Sequence, residues 1–114
     1  MQLQVKGKNL EVNEAIRSHA ERKLAKLSKQ LRDDTAVELV LAVERNPSIS
    51  ANQVAEATIW LKGHVLHARE AAPDMKAAID ELAEKLLRQV RSDREKRQGR
   101  NHRGPDKRES ALPQ

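Results

Sequence analysis

Cysteine is absent from this chain of 114 residues, and so is any apolar run of the roughly 20 residues that cross a bilayer. Without cysteine there is no disulfide framework and no cysteine-based zinc site. The N-terminal segment MQLQVKGKN lacks the apolar core of a signal peptide. The sequence therefore predicts a soluble, cytoplasmic protein without a membrane partner. Its length allows one domain with one core.

Glycine is also scarce, and none of the four glycines belongs to a phosphate-binding loop of the G-x-G-x-x-G or G-x-x-x-x-G-K-[ST] type. No serine lies in a G-x-S-x-G turn, and Asp33-Asp34 is interpreted as the end of a helix. His64 and His67 are three residues apart in a turn and a strand, with no further ligands arranged around them. We therefore expect no catalytic residues, no metal site, no cofactor, no small-molecule substrate and no enzymatic activity.

Charge is unevenly distributed along the chain, whose net charge is +5. Residues 1–84 contain 12 basic and 13 acidic side chains, whereas residues 85–108 contain 10 basic and 3 acidic ones. A polyanion is the simplest partner for this basic end. Because Trp60 is the one aromatic residue, there is no platform on which bases could stack. A bound nucleic acid would be recognised by its backbone and shape.

Residues 74–97 predict a long helix with an apolar stripe that ends at Val90. Acidic residues come first and basic residues follow, as the helix dipole favours. Lys85 and Arg88 each follow a glutamate by four residues, so helix stability could explain these two. A solvated face is the alternative reading of the whole run, but a basic helix end with nothing to pack on favours nucleic acid. The basic residues recur every three positions: Lys85, Arg88, Arg91, Arg94 and Arg97.

A second basic face is predicted on the helix that begins after Asn13 and ends at about Arg32. The residues three and four positions from Lys26 include three basic ones and no acid. Like-charge neighbours at these spacings cost a few tenths of a kcal/mol each, so a purely structural helix should intersperse glutamate. We expect His19 at the edge of this face, in contact with RNA or solvent. The face comprises Arg22, Lys23, Lys26 and Lys29.

The remaining segments predict four strands, which gives the order β-α-β-β-β-α. A right-handed crossover makes the first two strands parallel, and the next strands form an antiparallel meander. We expect an α+β fold, a four-stranded mixed sheet with two helices packed on one face, whose outer sides form one continuous surface. The strands are predicted from alternating or β-branched apolar residues at 2–6, 37–44, 53–62 and 65–71, with Gly63 in the last turn.

Three segments resemble the ribosome hibernation-promoting factors, also called ribosome-associated inhibitors or sigma modulation proteins. They are V-K-G-K-N-L-E-V-N-E-A-I-R from Val5 to Arg17, K-L-A-K-L from Lys23 to Leu27, and D-M-K-A-A-I-D-E-L-A-E-K-L-L-R-Q-V from Asp74 to Val90. The resemblance covers residues 1 to about 97. Lys76 departs from it, since the family usually has an aromatic residue after D-M.

The resemblance implies a ribosome-binding translation inhibitor without catalysis. It would occupy the mRNA/tRNA decoding channel of the small ribosomal subunit and promote ribosome hibernation under stress or in stationary phase. Its partners would be the small subunit and its rRNA, bound by a monomer of this chain. The rRNA-binding residues that it implies are Lys8, Arg17, Arg22, Lys23, Lys26, Lys29, Lys85, Arg88, Gln89, Arg91 and Arg94, with Lys8 and Arg17 as supports.

The domain organisation that follows is a ribosome-binding domain at residues 1–97 and a flexible basic tail or linker at residues 98–114. Long members of the family carry a C-terminal domain that pairs ribosomes, so the chain is either a short form or the N-terminal part of a long one. Two other functions stay open. One is a general double-stranded RNA-binding module, and the other is an adaptor for an acidic protein surface.

Overall fold

The fold has the predicted order of elements, β-α-β-β-β-α. The computed structural model describes residues 1–44 and 50–103, and the side chains of 1–44 and 50–96. The elements are β1 (Gln2–Lys8), α1 (Glu14–Ser28), β2 (Ala36–Val43), β3 (Gln53–Leu61), β4 (His64–Ala72) and α2 (Met75–Arg103).

The four strands form one mixed sheet in which strand order equals chain order. β1 and β2 are parallel, while β2, β3 and β4 are antiparallel neighbours, so the predicted topology is confirmed. Because side chains alternate between the faces of a sheet, each cross-strand row lies on one face. Val5, Leu39, Ala57 and Ala68 form a buried row. This row fixes the register, since a slip of one residue would expose it.

Both helices pack on the face that carries this row, as the sequence predicts. Leu24 of α1 and Ile79 and Leu82 of α2 are fully buried in one core cluster with the strands. Full burial of such a side chain stabilises the fold by about 1.5–3 kcal/mol. The buried stripe of α2 ends at Val90, and none of residues 91–96 is buried. The C-terminal half of α2 therefore extends past the core.

The helices begin where the sequence predicts, because each has a capping side chain. Asn13 Oδ1 accepts a hydrogen bond from the Ile16 backbone N–H at 2.8 Å. Asp74 Oδ2 accepts one from the Ala77 backbone N–H at 3.1 Å. These bonds satisfy N–H groups that have no partner within the helix. α1 ends at Ser28 rather than at Arg32, so the predicted helix is four residues too long.

β1 continues through Gly7 to Lys8, whereas the sequence predicts that it ends before Gly7. A Cβ atom on Gly7 would lie 1.9 Å from the carbonyl oxygen of Leu10. Glycine is therefore required for the chain to fold back against the strand at this point. Asn9 supports the reversal with a φ of 55°, a conformation that asparagine adopts more readily than most residues.

α2 continues to Arg103, beyond the boundary at residue 97. The first six residues of the predicted tail, 98–103, are thus helical. The rest of the tail, residues 104–114, and part of the predicted loop, residues 45–49, lie outside the described residues. The division into a domain and a tail stays a prediction. No helix in the described part of the chain is long and apolar enough to cross a membrane.

Candidate nucleic-acid interface

The predicted basic residues of α1 share one accessible surface. The apolar stripe of α1 is buried against the sheet, whereas Arg22, Lys23 and Lys26 are exposed. These three side chains line a groove of about 270 Å³ between α1 and α2, which we call the interhelical groove. Lys29 is exposed at the C-cap of α1, where a positive charge also compensates the helix dipole.

The basic residues of α2 cross the outer side of that helix obliquely. A step of three residues turns by about 300°, or about 60° less than a full turn, so each basic residue is shifted around the helix relative to the last. Lys85 lies on the side of β4, Arg94 lies on the side of α1, and Arg88 and Arg91 are exposed between them. We call these four residues the oblique row.

Both ends of the oblique row contact neighbouring elements. Lys85 Nζ is 3.2 Å from Glu70 Oε2 in β4. The expected pair of Lys85 with Glu81 does not form among the described residues. At the other end, the Arg94 guanidinium donates a hydrogen bond to the side-chain oxygen of Gln30, just after α1. Lys85 and Arg94 are thus held by contacts that the helix alone would not supply.

Gln89 lies in a different groove from the α1 residues. This second groove, of about 610 Å³, runs between β4 and α2 and is also lined by Lys85, Arg88 and Lys96. The Gln89 Oε1 atom is buried and has no hydrogen-bond partner among the described residues. The basic residues of α2 are therefore divided between two sides of the helix.

Lys8 and Arg17 lie away from the interhelical groove. Lys8 is opposite Ala42 in the sheet, in a row that alternates with the buried row, and so is on the face that the helices do not cover. Arg17 is partly buried on α1. It precedes His19 by two residues, or about 200° around the helix, on the flank away from α2.

His19 does not lie at the edge of the basic face, so this expectation is wrong. The residue is 8% exposed, between the two helices. The ring Nε2 lies 2.7 Å from Asp80 Oδ1 on α2, and Nδ1 lies 3.1 Å from an Arg22 guanidinium nitrogen. Because arginine is always a donor, Nδ1 accepts from Arg22 and Nε2–H donates to Asp80. His19 thus joins α1 to α2 and orients Arg22.

Acidic side chains on α2 offset part of the charge of α1. Asp80 Oδ1 is 3.7 Å from Lys23 Nζ, and Asp80 and Glu84 both line the interhelical groove. Although Lys26 has no acidic neighbour within α1, the interhelical groove therefore contains acidic as well as basic side chains. Sequence reasoning missed Asp80 because its partners are on another element, 57 and 61 residues away.

The histidines of β4 point to different faces of the sheet and contact different carboxylates. His64 Nε2 is 2.7 Å from Asp93 Oδ1 on α2, and His67 Nε2 is 3.0 Å from Glu56 Oε2 on the uncovered face. The two rings therefore do not converge on one point. Among the described residues, no group of three or more His, Cys, Asp or Glu side chains could hold a metal ion.

Sequence comparison assigns the chain to a family. The profile described as sigma 54 modulation protein / S30EA ribosomal protein matches residues 3–98. The chain belongs to this family. The match covers every element that carries the interhelical groove and the oblique row. It confirms the resemblance that the three sequence segments indicate.

The chain is also similar to curated proteins. It is 38% identical to the ribosome hibernation promoting factor of Salmonella typhimurium over 96 residues, which are 84% of this chain and 96% of that protein. It is 33% identical over 115 residues to the ribosome hibernation promotion factor of Picosynechococcus, covering 100% of this chain and 60% of that protein. The chain thus spans about three fifths of the length of this second, longer relative.

Two solved structures have the same fold. The crystal structure of the Thermus thermophilus Protein Y N-terminal domain has a TM-score of 0.66 and 31% identity, and covers 79% of this chain and 96% of that one. A ribosomal subunit interface protein from Coxiella burnetii has a TM-score of 0.68 and 20% identity, and covers 82% and 98%. The similarity to the Coxiella burnetii protein shows a shared fold only.

Proposed function

We propose that this protein binds the small ribosomal subunit, occupies the decoding channel used by mRNA and tRNA, and keeps ribosomes in hibernation under stress or in stationary phase. Family membership and relatives named ribosome hibernation promoting factors support the ribosome as the partner. The observation in this chain that carries the proposal is the basic surface that α1 and α2 present on the side away from the sheet.

The mechanism is steric exclusion by a bound protein, without a chemical step. Lysine and arginine side chains neutralise rRNA phosphates and release condensed counterions, which supplies affinity that falls as salt rises. The Arg88 and Arg91 side chains are exposed, so they can contact phosphates on the surface of a large RNA. The volume of the bound protein alone would exclude mRNA and tRNA from the channel.

The contact residues that we propose are the predicted residues on α1 and α2. Those of α1 lie on one wall of the interhelical groove, except Lys29, which is at the C-cap of α1. Those of α2 lie in the oblique row and in the groove beside β4. Lys8 and Arg17 remain predictions from the resemblance, since Lys8 lies on the uncovered face and Arg17 on the far flank of α1. The proposed residues are Arg22, Lys23, Lys26, Lys29, Lys85, Arg88, Gln89, Arg91 and Arg94.

Co-sedimentation with purified ribosomal subunits through a sucrose cushion tests the proposal. We expect the protein to pellet with the small subunit at low salt, to be released at high salt, and to be displaced by initiator tRNA. The large subunit serves as the control. Failure to pellet at low salt, or equal pelleting with both subunits, would contradict the proposal.

Competition with an arbitrary duplex RNA separates this function from that of a general double-stranded RNA-binding module. A decoding-channel ligand should stay on the small subunit in the presence of excess duplex. Release by the duplex in proportion to its phosphate concentration would favour the general module. Binding to a lysate protein that survives RNase treatment would instead favour the adaptor function.

A further inference from the structure

The interhelical groove contains a carboxylate that phosphate binding does not explain. Asp80 is accounted for by its hydrogen bond from His19 and its contact with Lys23. Glu84, one turn later on α2, lines the same groove and is exposed, without an ion pair among the described residues. A free carboxylate beside bound phosphates would weaken binding by repulsion. A ligand that donates hydrogen bonds to Glu84 therefore fits this groove better than a phosphate alone.

The floor of the groove is apolar and small. Leu27 of α1 and Ala83 and Leu87 of α2 lie between the charged walls. The volume of about 270 Å³ is below the roughly 300–1,000 Å³ of sites for drug-sized ligands. A flat, partly apolar group with polar edges matches this space better than a phosphate alone, because a phosphate gains nothing from apolar contact.

The walls of the groove are held in place before any ligand binds. His19 is buried and contacts Arg22 through one ring nitrogen and Asp80 through the other. These bonds limit the rotamers of both wall residues, so less entropy is lost on binding. Arg22 and Lys26 stand on the α1 wall, opposite Glu84 on the α2 wall. Cations and a hydrogen-bond acceptor thus face each other across an apolar floor.

We propose that the interhelical groove binds one unpaired guanine nucleotide of an RNA, with the base on the apolar floor. The two N–H groups on the Watson–Crick edge of guanine donate to the Glu84 carboxylate, a bidentate arrangement, while Arg22 and Lys26 contact the flanking phosphates. Uracil offers one N–H between two carbonyl oxygens and fits a carboxylate less well. The inference rests on the proposed function, in which RNA is the ligand, and adds base selectivity to it.

Glu84→Gln and Glu81→Gln are the variants that test this site. Glu81 is exposed on the same helix and does not line the groove, so both variants remove one negative charge but only one changes the site. Affinities of the full chain are measured by fluorescence anisotropy for three oligouridylates. One has a central guanine, one has inosine in that position, which lacks the second N–H donor, and one is uridine throughout.

The wild-type protein should prefer the guanine oligonucleotide to the all-uridine one by about fivefold or more, with inosine between them. Glu84→Gln should abolish this preference by weakening guanine binding and strengthening uridine binding. Glu81→Gln should strengthen both equally, as the loss of one acidic charge predicts. An equal change for all three oligonucleotides in Glu84→Gln, or no preference or no binding in the wild type, would overturn the base site.

Co-sedimentation with the small subunit, run in parallel, keeps the two proposals apart. If the wild type pellets with the subunit but shows no guanine preference, the base site alone fails. If the wild type does not pellet, the ribosomal function fails, whatever the result with oligonucleotides.

Discussion

At the scale of single residues, His19 is the side chain on which the arrangement of the basic surface depends most. It is buried, it bonds to both helices, and it has no apolar substitute that would satisfy Asp80 and Arg22 together. By contrast, the similar pair of His67 and Glu56 lies on the uncovered sheet face, where the His67 side chain is 52% exposed, against 10% for that of His19. The two histidines therefore form similar contacts, but those of His19 should contribute more to the free energy of unfolding.

His19→Ala should lower the free energy of unfolding by about 2 kcal/mol, because a hydrogen bond to a charged group is lost at a buried position. His67→Ala should lower it by less than about 1 kcal/mol, as for other exposed ion pairs. Urea denaturation of both variants measures the difference. Equal losses would show that the His19 contacts do not stabilise the packing of α1 on α2.

At the scale of elements, the sequence predicted the type and order of every helix and strand, but not all their ends. Asn13 and Asp74 marked the helix starts because capping is encoded locally. The end of α1 was placed four residues too late because Leu31 continues the helical spacing. Leu31 does pack against the core, yet it does so from a turn in which the Gln30 N–H bonds to the Leu27 carbonyl. The spacing of apolar residues therefore predicts which side chains pack on the core, but not where the helical backbone ends.

The candidate site was only partly predictable for a similar reason. The exposure of Arg22, Lys26 and Arg91 followed from their distance from the apolar stripes. The sharing of Asp80 between His19 and Lys23 depends on how two helices are set against each other, and the sequence of neither helix encodes that.

Arg91 lies in the middle of the oblique row, so its removal tests whether that row contacts RNA. Arg91 has no ion pair among the described residues, so Arg91→Ala should leave the unfolding transition unchanged. The slope of log affinity for the small subunit against log salt should fall by roughly 0.7–0.9, the value of one phosphate contact. Ser92→Ala, the neighbouring uncharged position, is the control and should keep the wild-type slope. An unchanged slope in Arg91→Ala would remove Arg91 from the interface.

At the scale of the whole molecule, the sheet separates two surfaces of different character. One side carries the helices with the interhelical groove and the oblique row. The other side exposes Trp60 and Val65, which are cross-strand neighbours, together with Lys6, whose Nζ is 2.8 Å from Glu38. A charge change on either side alters the net charge of the protein by the same amount. Only changes on the helical side should remove contacts.

Two double variants with the same net charge distinguish contact from long-range attraction. Arg22→Glu with Lys26→Glu should abolish binding to the small subunit while far-UV circular dichroism stays close to wild type, since both residues are exposed. The unfolding midpoint should fall slightly, because Arg22 loses its hydrogen bond to His19. Lys6→Glu with Arg69→Glu lowers the net charge equally on the uncovered face, at two exposed residues outside the proposed contact set, and should retain most of the binding. Equal losses in the two variants would mean that net charge, and not the helical surface, determines the interaction.

The direction of the oblique row limits the shape of any RNA that follows it. Rows of residues three apart on a helix are inclined by about 45° to its axis, whereas the interhelical groove runs along the axis between α1 and α2. A strand that uses both must turn between them, close to Leu87 and Arg91. A straight, stiff duplex can follow one path but not both, so kinked or junction-like RNA fits this surface best. Under the proposed function, the protein would then select its ligand by curvature, because the interhelical groove and the oblique row cross on α2.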